Sequence, residues 1–204
     1  MTCSAAVMVR TVMATSRNLA ARRITRVTPM SLDLTVDELR EGLTACLAVP
    51  RWVDEVVGQA PYASLAELLA AARAAASPLS AAEVDQALAD HPRIGEKAAG
   101  DGRSQAFSRA EQRDSASDDP ELAAALAAGN EAYERKFGRV FLIRAAGRGR
   151  PEILAELNRR LRLDPEVEIE VVAAELRDIA LLRIPQLFGH RDHHFRNDDS
   201  EAAQ

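Results

Sequence analysis

Apolar residues along most of this chain return every three or four positions with charged or small residues between them, the spacing that gathers them on one stripe of an α-helix. Leu39, Leu43 and Leu47 form such a stripe and predict a helix over 36–47, with Pro50 just beyond its end. Ser64-Leu65-Ala66-Glu67 and Ser80-Ala81-Ala82-Glu83 each place a hydroxyl three residues before a carboxylate, the capping-box pattern. The first opens an alanine-rich helix towards Ala76 and the second a helix through Leu88. Pro92 disfavours helical backbone at the residue before it, so His91 falls at a helix C-terminus or just past it.

A glycine-containing loop from Gly95 to Gly102 leads on to Ser108. Asp119-Pro120 suits a helix start, and the pattern from Asn130 to Lys136 stays helical until Gly138 stops it. Val140-Phe141-Leu142-Ile143 is a short apolar run that periodicity alone leaves open, either a buried extended segment or a piece of helix. Pro151 and Pro165 suit first helical positions, the latter behind Asp164 as N-cap. The last helix is long, with Val167, Val171, Val172, Leu176, Ile179, Leu182 and Leu187 expected on its apolar face. No internal repeat is visible.

Composition agrees with packed helices: alanine is abundant and aromatics are only 4%, where strands want β-branched and aromatic residues. The expected fold is all-α, a single-domain helical bundle of about eight helices, its domain of about 160 residues taken from a chain of 204. That size buries a core without disulfides or structural metal. The net charge of −5, with basic residues interleaved among acids, offers no cationic face for phosphates and argues against nucleic acid. Cys3 and Cys46 are too few and too far apart for a disulfide framework or a zinc knuckle and read as reduced thiols of a cytoplasmic protein. No apolar run approaches the roughly 20 residues of a membrane span.

The ends differ from the middle. Residues 1–30 carry five arginines and no acid, superficially like a transit peptide, but have no apolar core with a cleavage site. We read them as a disordered or non-native leader, with the helical domain over 31–189 opening at Met30-Ser31-Leu32 and its own helix cap. Residues 190–204 form a polar tail.

Candidate chemistry centres on His91-Pro92-Arg93-Ile94-Gly95 and Ser108-Arg109-Ala110-Glu111-Gln112. A histidine held by a proline at a helix end, with a carboxylate some twenty residues on, is a workable acid/base pair. The plain alternatives are a dipole-facing histidine and a simple capping box at Ser108-x-x-Glu111. A helix start at Ser108 also presents N–H groups to an anion. Arg183 stands in the apolar end of the last helix, where a buried guanidinium needs an anion or carboxylate partner. His190-Arg191-Asp192-His193-His194 has metal-ligand residue types but reads as a polar tail, so no metal site is expected.

These two segments, with Asn130-x-x-Tyr133-x-x-Lys136-Phe137-Gly138 and Phe141-Leu142-Ile143 in the same order, resemble the signature of the 2-oxo-4-hydroxy-4-carboxy-5-ureidoimidazoline (OHCU) decarboxylase family over roughly residues 32–187. Arg93 and Ile94 depart from the family pattern, where an acid and a leucine are common, as does Arg144, where cysteine or alanine is common. The resemblance implies an all-helical homodimer that converts OHCU to (S)-allantoin in urate catabolism. It implies no cofactor, because a ring C=N beside the departing carboxylate accepts the electron pair that a bound cofactor takes elsewhere. By matching position, His91 and Glu111 would be catalytic, while Pro92, Ser108, Arg109, Ala110, Gln112, Ile143, Arg144, Ala145 and Arg183 would bind substrate.

Taken without the resemblance, the residues leave two other classes open. A helical protein-interaction or regulatory module would need no convergence of His91 and Glu111. A metal-dependent hydrolase would need His91 beside the tail histidines.

Overall fold

The computed structural model describes residues 32–89, 91, 93–94, 103, 106–107 and 119–189. Among the described residues seven helices have both ends defined and there is no strand: α1 (Val36–Cys46), α2 (Pro50–Val57), α3 (Leu65–Ala75), α4 (Ala81–Leu88), α5 (Pro120–Phe137), α6 (Arg150–Arg160) and α7 (Pro165–Phe188). The helical fold is as expected, and the number is close to the eight anticipated.

Local chemistry sets most boundaries. Thr35 and Glu38 close a reciprocal capping box on α1, and Ser80 and Glu83 close another on α4. At α3 only half the box forms: Ser64 accepts from the Glu67 amide, while the Glu67 carboxylate takes the Ala63 N–H instead. Asp164 occupies the N-cap of α7 but makes no side-chain cap bond, and Pro151 sits second in α6 rather than first. Gly138 ends α5 with φ +70°, a conformation that favours glycine over any residue with a Cβ.

Two expectations need correction. Pro50 does more than stop α1; it opens α2, a short helix whose Trp52, Val53, Val56 and Val57 are buried. On α7 the buried stripe runs through Glu168, Val172, Leu176, Ile179, Ala180, Arg183, Ile184 and Phe188, whereas Val167 and Leu182 are 47% and 39% exposed. Two charged residues thus occupy the face that hydropathy assigned to aliphatic ones.

Helix α7 is the central post. It packs against α1, α3 and α4, with α2 joining α1 to α3. A main core, including Leu43, Trp52, Leu68, Val84, Val172 and Ile184, fills this group. Helices α5 and α6 pack on each other around a second core of Leu126, Tyr133, Phe137, Phe141, Ile143, Ile153 and Leu157. The run left open by periodicity is not helical: Leu142 enters the main core while Phe141, Ile143 and Ala145 enter the second, the alternation of an extended chain. This segment is the seam between the two cores.

Candidate functional site

At the end of α4 the backbone N–H of His91 donates to the Leu88 carbonyl at 3.0 Å. Its Nδ1 lies 2.7 Å from the Ala87 carbonyl oxygen. A carbonyl can only accept, so this contact protonates Nδ1 and makes Nε2 the basic ring nitrogen. Nε2 is itself shielded from solvent. The geometry therefore fixes both the orientation and the tautomer of the imidazole.

Helix α5 anchors the chain just after this histidine. Glu134 receives a bidentate ion pair from Arg93, both contacts at 2.6 Å, and the Asn130 amide donates to the Ile94 carbonyl at 3.0 Å. Lys136 donates to the Leu161 and Leu163 carbonyls beyond the end of α6. The Asn130-x-x-Tyr133-x-x-Lys136 pattern is thus a set of ties from one helix to its neighbours. Arg93, although a departure from the family pattern, has a partner built for it.

Tyr133 belongs to the most buried polar group among the described residues. Arg160 and Glu168, both 0% exposed, form an ion pair in which Arg160 Nε donates to Glu168 Oε1 at 2.7 Å; Arg160 Nη2 and the Tyr133 hydroxyl donate to the same oxygen. Arg160 Nη1 donates to the Leu142 carbonyl at 2.7 Å. Burial, reinforced by the bond to Glu168, raises the Tyr133 phenol well above its ordinary pKa, so it remains a donor. On the next stretch of the same segment the Arg144 N–H donates to Glu175 Oε2 at 2.7 Å, and Arg148 reaches Glu175 Oε1 at 3.4 Å. The Arg148 N–H closes the following turn on the Ala145 carbonyl at 3.0 Å, where Gly147 takes φ +79°.

The buried arginine of α7 is the last component. Arg183 is 1% exposed; its Nη1 donates to the Cys46 carbonyl at 3.3 Å, and its guanidinium lies 5.4 Å from the ring centroid of Phe107. In sequence Phe107 immediately precedes the Ser108–Gln112 block, and it is Phe107 that α7 brings this cation against.

The sequence profile of the OHCU decarboxylase family matches residues 33–185. The chain belongs to the OHCU decarboxylase family, a family of carboxy-lyases. A crystal structure of an OHCU decarboxylase in the presence of (S)-allantoin superposes with a TM-score of 0.63 at 26% identity, covering 73% of this chain and 98% of that one. An (S)-allantoin synthase shares the fold, with a TM-score of 0.55 at 18% identity over 77% of this chain and 52% of its own. The uric acid degradation bifunctional protein TTL of Arabidopsis thaliana is 37% identical over 78 residues, which span 38% of this chain and 24% of that protein. The matched segment therefore spans about a quarter of that bifunctional relative.

Of the residues that the family resemblance singles out, His91, Ile143, Arg144, Ala145 and Arg183 lie within the described structure. Pro92, Ser108, Arg109, Ala110, Glu111 and Gln112, as well as the leader and the histidine-rich tail, lie outside the described residues. The Arg144 amide is engaged by Glu175, which directs any substrate contact at that residue to its other groups. Sequence reasoning placed Asn130 in a family motif without a role and missed Arg160, Glu168 and Glu175 as organisers of this region. One signal was present: Glu168 leads Val172 and Leu176 at four-residue steps, a carboxylate on an aliphatic stripe, which demands a buried cation. Among the described residues no group of three or more His, Cys, Asp or Glu is placed to hold a metal. No described helix is long and apolar enough to cross a membrane.

Proposed function

We propose that this protein removes CO2 from OHCU to give (S)-allantoin, using His91 and Glu111 as its acid/base pair and no cofactor. When the bond to the carboxylate breaks, its electron pair moves towards the adjacent ring C=N and leaves an enol-type intermediate. The ring nitrogen that receives the pair takes a proton from solvent, and the resulting enol then loses its hydroxyl proton and gains one at the ring carbon bearing the ureido group, so that overall one proton replaces CO2. Glu111 manages the hydroxyl proton, and His91 delivers the other to one face through Nε2, which sets the handedness of the product. Arg183 holds an anionic or carbonyl oxygen of the substrate in a planar fork. Pro92, Ser108, Arg109, Ala110, Gln112 and the segment from Ile143 to Ala145 hold the ring and ureido group. The family resemblance further supports action as a homodimer, and the two widely spaced cysteines, Cys3 and Cys46, support a reducing, cytoplasmic setting.

The observation that carries most of this reading is the buried Arg183 guanidinium against Phe107, the residue that precedes Ser108-x-x-Glu111 in sequence, in a chain whose family match runs over 33–185. The fixed tautomer of His91 adds to it, since a proton carrier needs one defined basic nitrogen. The test is to supply freshly generated OHCU and follow the ellipticity of allantoin. His91→Asn and Glu111→Gln should each keep the helical circular dichroism and lower kcat by at least about a hundredfold, within the usual contribution of an acid/base group. Parent-like rates and unchanged product handedness in both variants would remove these residues from the mechanism.

A further inference from the structure

The extended segment 141–145 is held from two sides by carboxylates of one helix. Glu168 and Glu175 are separated by about two turns of α7 and so share one face of it. Glu168 acts through Arg160, whose guanidinium is clamped between the carboxylate and the Leu142 carbonyl. Glu175 acts directly, by accepting the Arg144 N–H at 2.7 Å. Fixing a carbonyl at one residue and an N–H two residues later determines the orientation of the peptide groups between them. Those groups are the two peptide units that flank Ile143, whose other polar atoms are the Ile143 N–H and C=O.

We propose that Glu175 is a positioning residue for catalysis: it sets the backbone of Ile143 to Ala145 in the orientation that receives substrate, with the Arg160–Glu168 pair as the fixed point behind it. The inference rests on the decarboxylase reading above, because only that reading makes this backbone part of a binding site. A solvated surface carboxylate would serve poorly. Glu175 has a side chain only 14% exposed, and both of its oxygens are engaged by neighbours of the segment it holds, Arg148 and the Arg144 amide. The same helix carries Arg183 about 12 Å further on, so one rigid element positions both the backbone contact and the cation. A rigid shared support keeps the spacing of two substrate contacts constant, and a small error in that spacing is costly in binding.

Glu175→Gln retains a carbonyl acceptor for the Arg144 N–H, while Glu175→Leu removes it. With OHCU as substrate, Glu175→Leu should raise KM about tenfold, the equivalent of one well-made hydrogen bond, with kcat within about threefold of the parent. Glu175→Gln should recover a KM near the parent value. Amide hydrogen exchange at Arg144, read without substrate, should be slow in the parent and in Glu175→Gln but fast in Glu175→Leu. A parent-like KM in Glu175→Leu together with fast exchange at Arg144 would overturn the inference, as would unchanged slow exchange in that variant. If the parent itself fails to turn over OHCU, the decarboxylase reading falls, and the proposed role of Glu175 falls with it; the exchange measurement then describes the clamp alone.

Discussion

Replacing Glu168 with leucine should be among the most damaging single substitutions in the protein. Three donors, Arg160 Nε, Arg160 Nη2 and the Tyr133 hydroxyl, converge on Glu168 Oε1 in a site with no exposure to water. Leucine approximates the volume but strands a guanidinium and a phenol. Losing one partner of a buried ion pair costs about 3–5 kcal/mol. At about 2–4 °C per kcal/mol for a domain of this size, the melting temperature should fall by roughly 6–20 °C. Tyr133→Phe should cost only about 1 kcal/mol, because Arg160 stays paired when the hydroxyl is removed. The discriminating variant is Arg160→Met combined with Glu168→Leu. It removes both charges and leaves two neutral groups, the Leu142 carbonyl and the Tyr133 hydroxyl, short of a partner, at about 1–3 kcal/mol each, against a relief of similar size from no longer desolvating an ion pair. The double variant should therefore be more stable than Glu168→Leu alone. Urea denaturation followed by the fluorescence of Trp52, the single tryptophan of the chain and fully buried, measures all four proteins. A Glu168→Leu protein within about 1 kcal/mol of the parent would refute the reasoning, as would a double variant less stable than that single one.

Two further expectations concern the main core and its edge. Gly42 faces the Phe188 ring where α1 crosses α7, and a methyl group there would stand 2.9 Å from Cε1 and closer still to Cζ. Gly42→Ala should therefore cost about 1–3 kcal/mol, with much of the loss recovered when Phe188→Leu is added; chemical denaturation showing no such coupling would mean that the helices part easily. Glu83 is held down to about 2 from an ordinary 4.5, first by its hydrogen bond to Arg51 and further by the Ser80 cap. A depressed carboxylate contributes stability above its unfolded pKa and loses it as pH falls through the folded one, so this contribution should vanish between pH 4.5 and about 2. The Arg51 side chain is 45% exposed, which limits the pair to about 1 kcal/mol. Arg51→Ala should flatten the acid limb of the stability curve by that amount, and an acid limb identical to the parent's would exclude the pair as its cause.

The sequence by itself determined the elements whose causes are local. Capping boxes at Thr35 and Ser80, prolines at Pro120 and Pro165 and the left-handed Gly138 act through their own or adjacent backbone groups, so their positions are readable one turn at a time. The order of the family motifs is equally local, and it pointed to His91 and to the decarboxylase family before any packing was known. Pro50 shows where such reading ends: the same residue can close one helix or open the next, and burial of Trp52 and Val56 decided for a new helix. Only the tertiary structure decided which polar residues are interior. Glu168 and Arg160 are eight positions apart on different helices, Tyr133 is on a third, and Glu175 finds its partner in the Arg144 backbone. An isolated charge in a sequence reads as solvent-facing, because burying it is unfavourable until a partner from elsewhere in the chain arrives. That partner is supplied where side chains of α5, α6 and α7 meet beside the seam at 141–145; the aliphatic stripe behind Glu168 signals a buried cation, but not which residue supplies it.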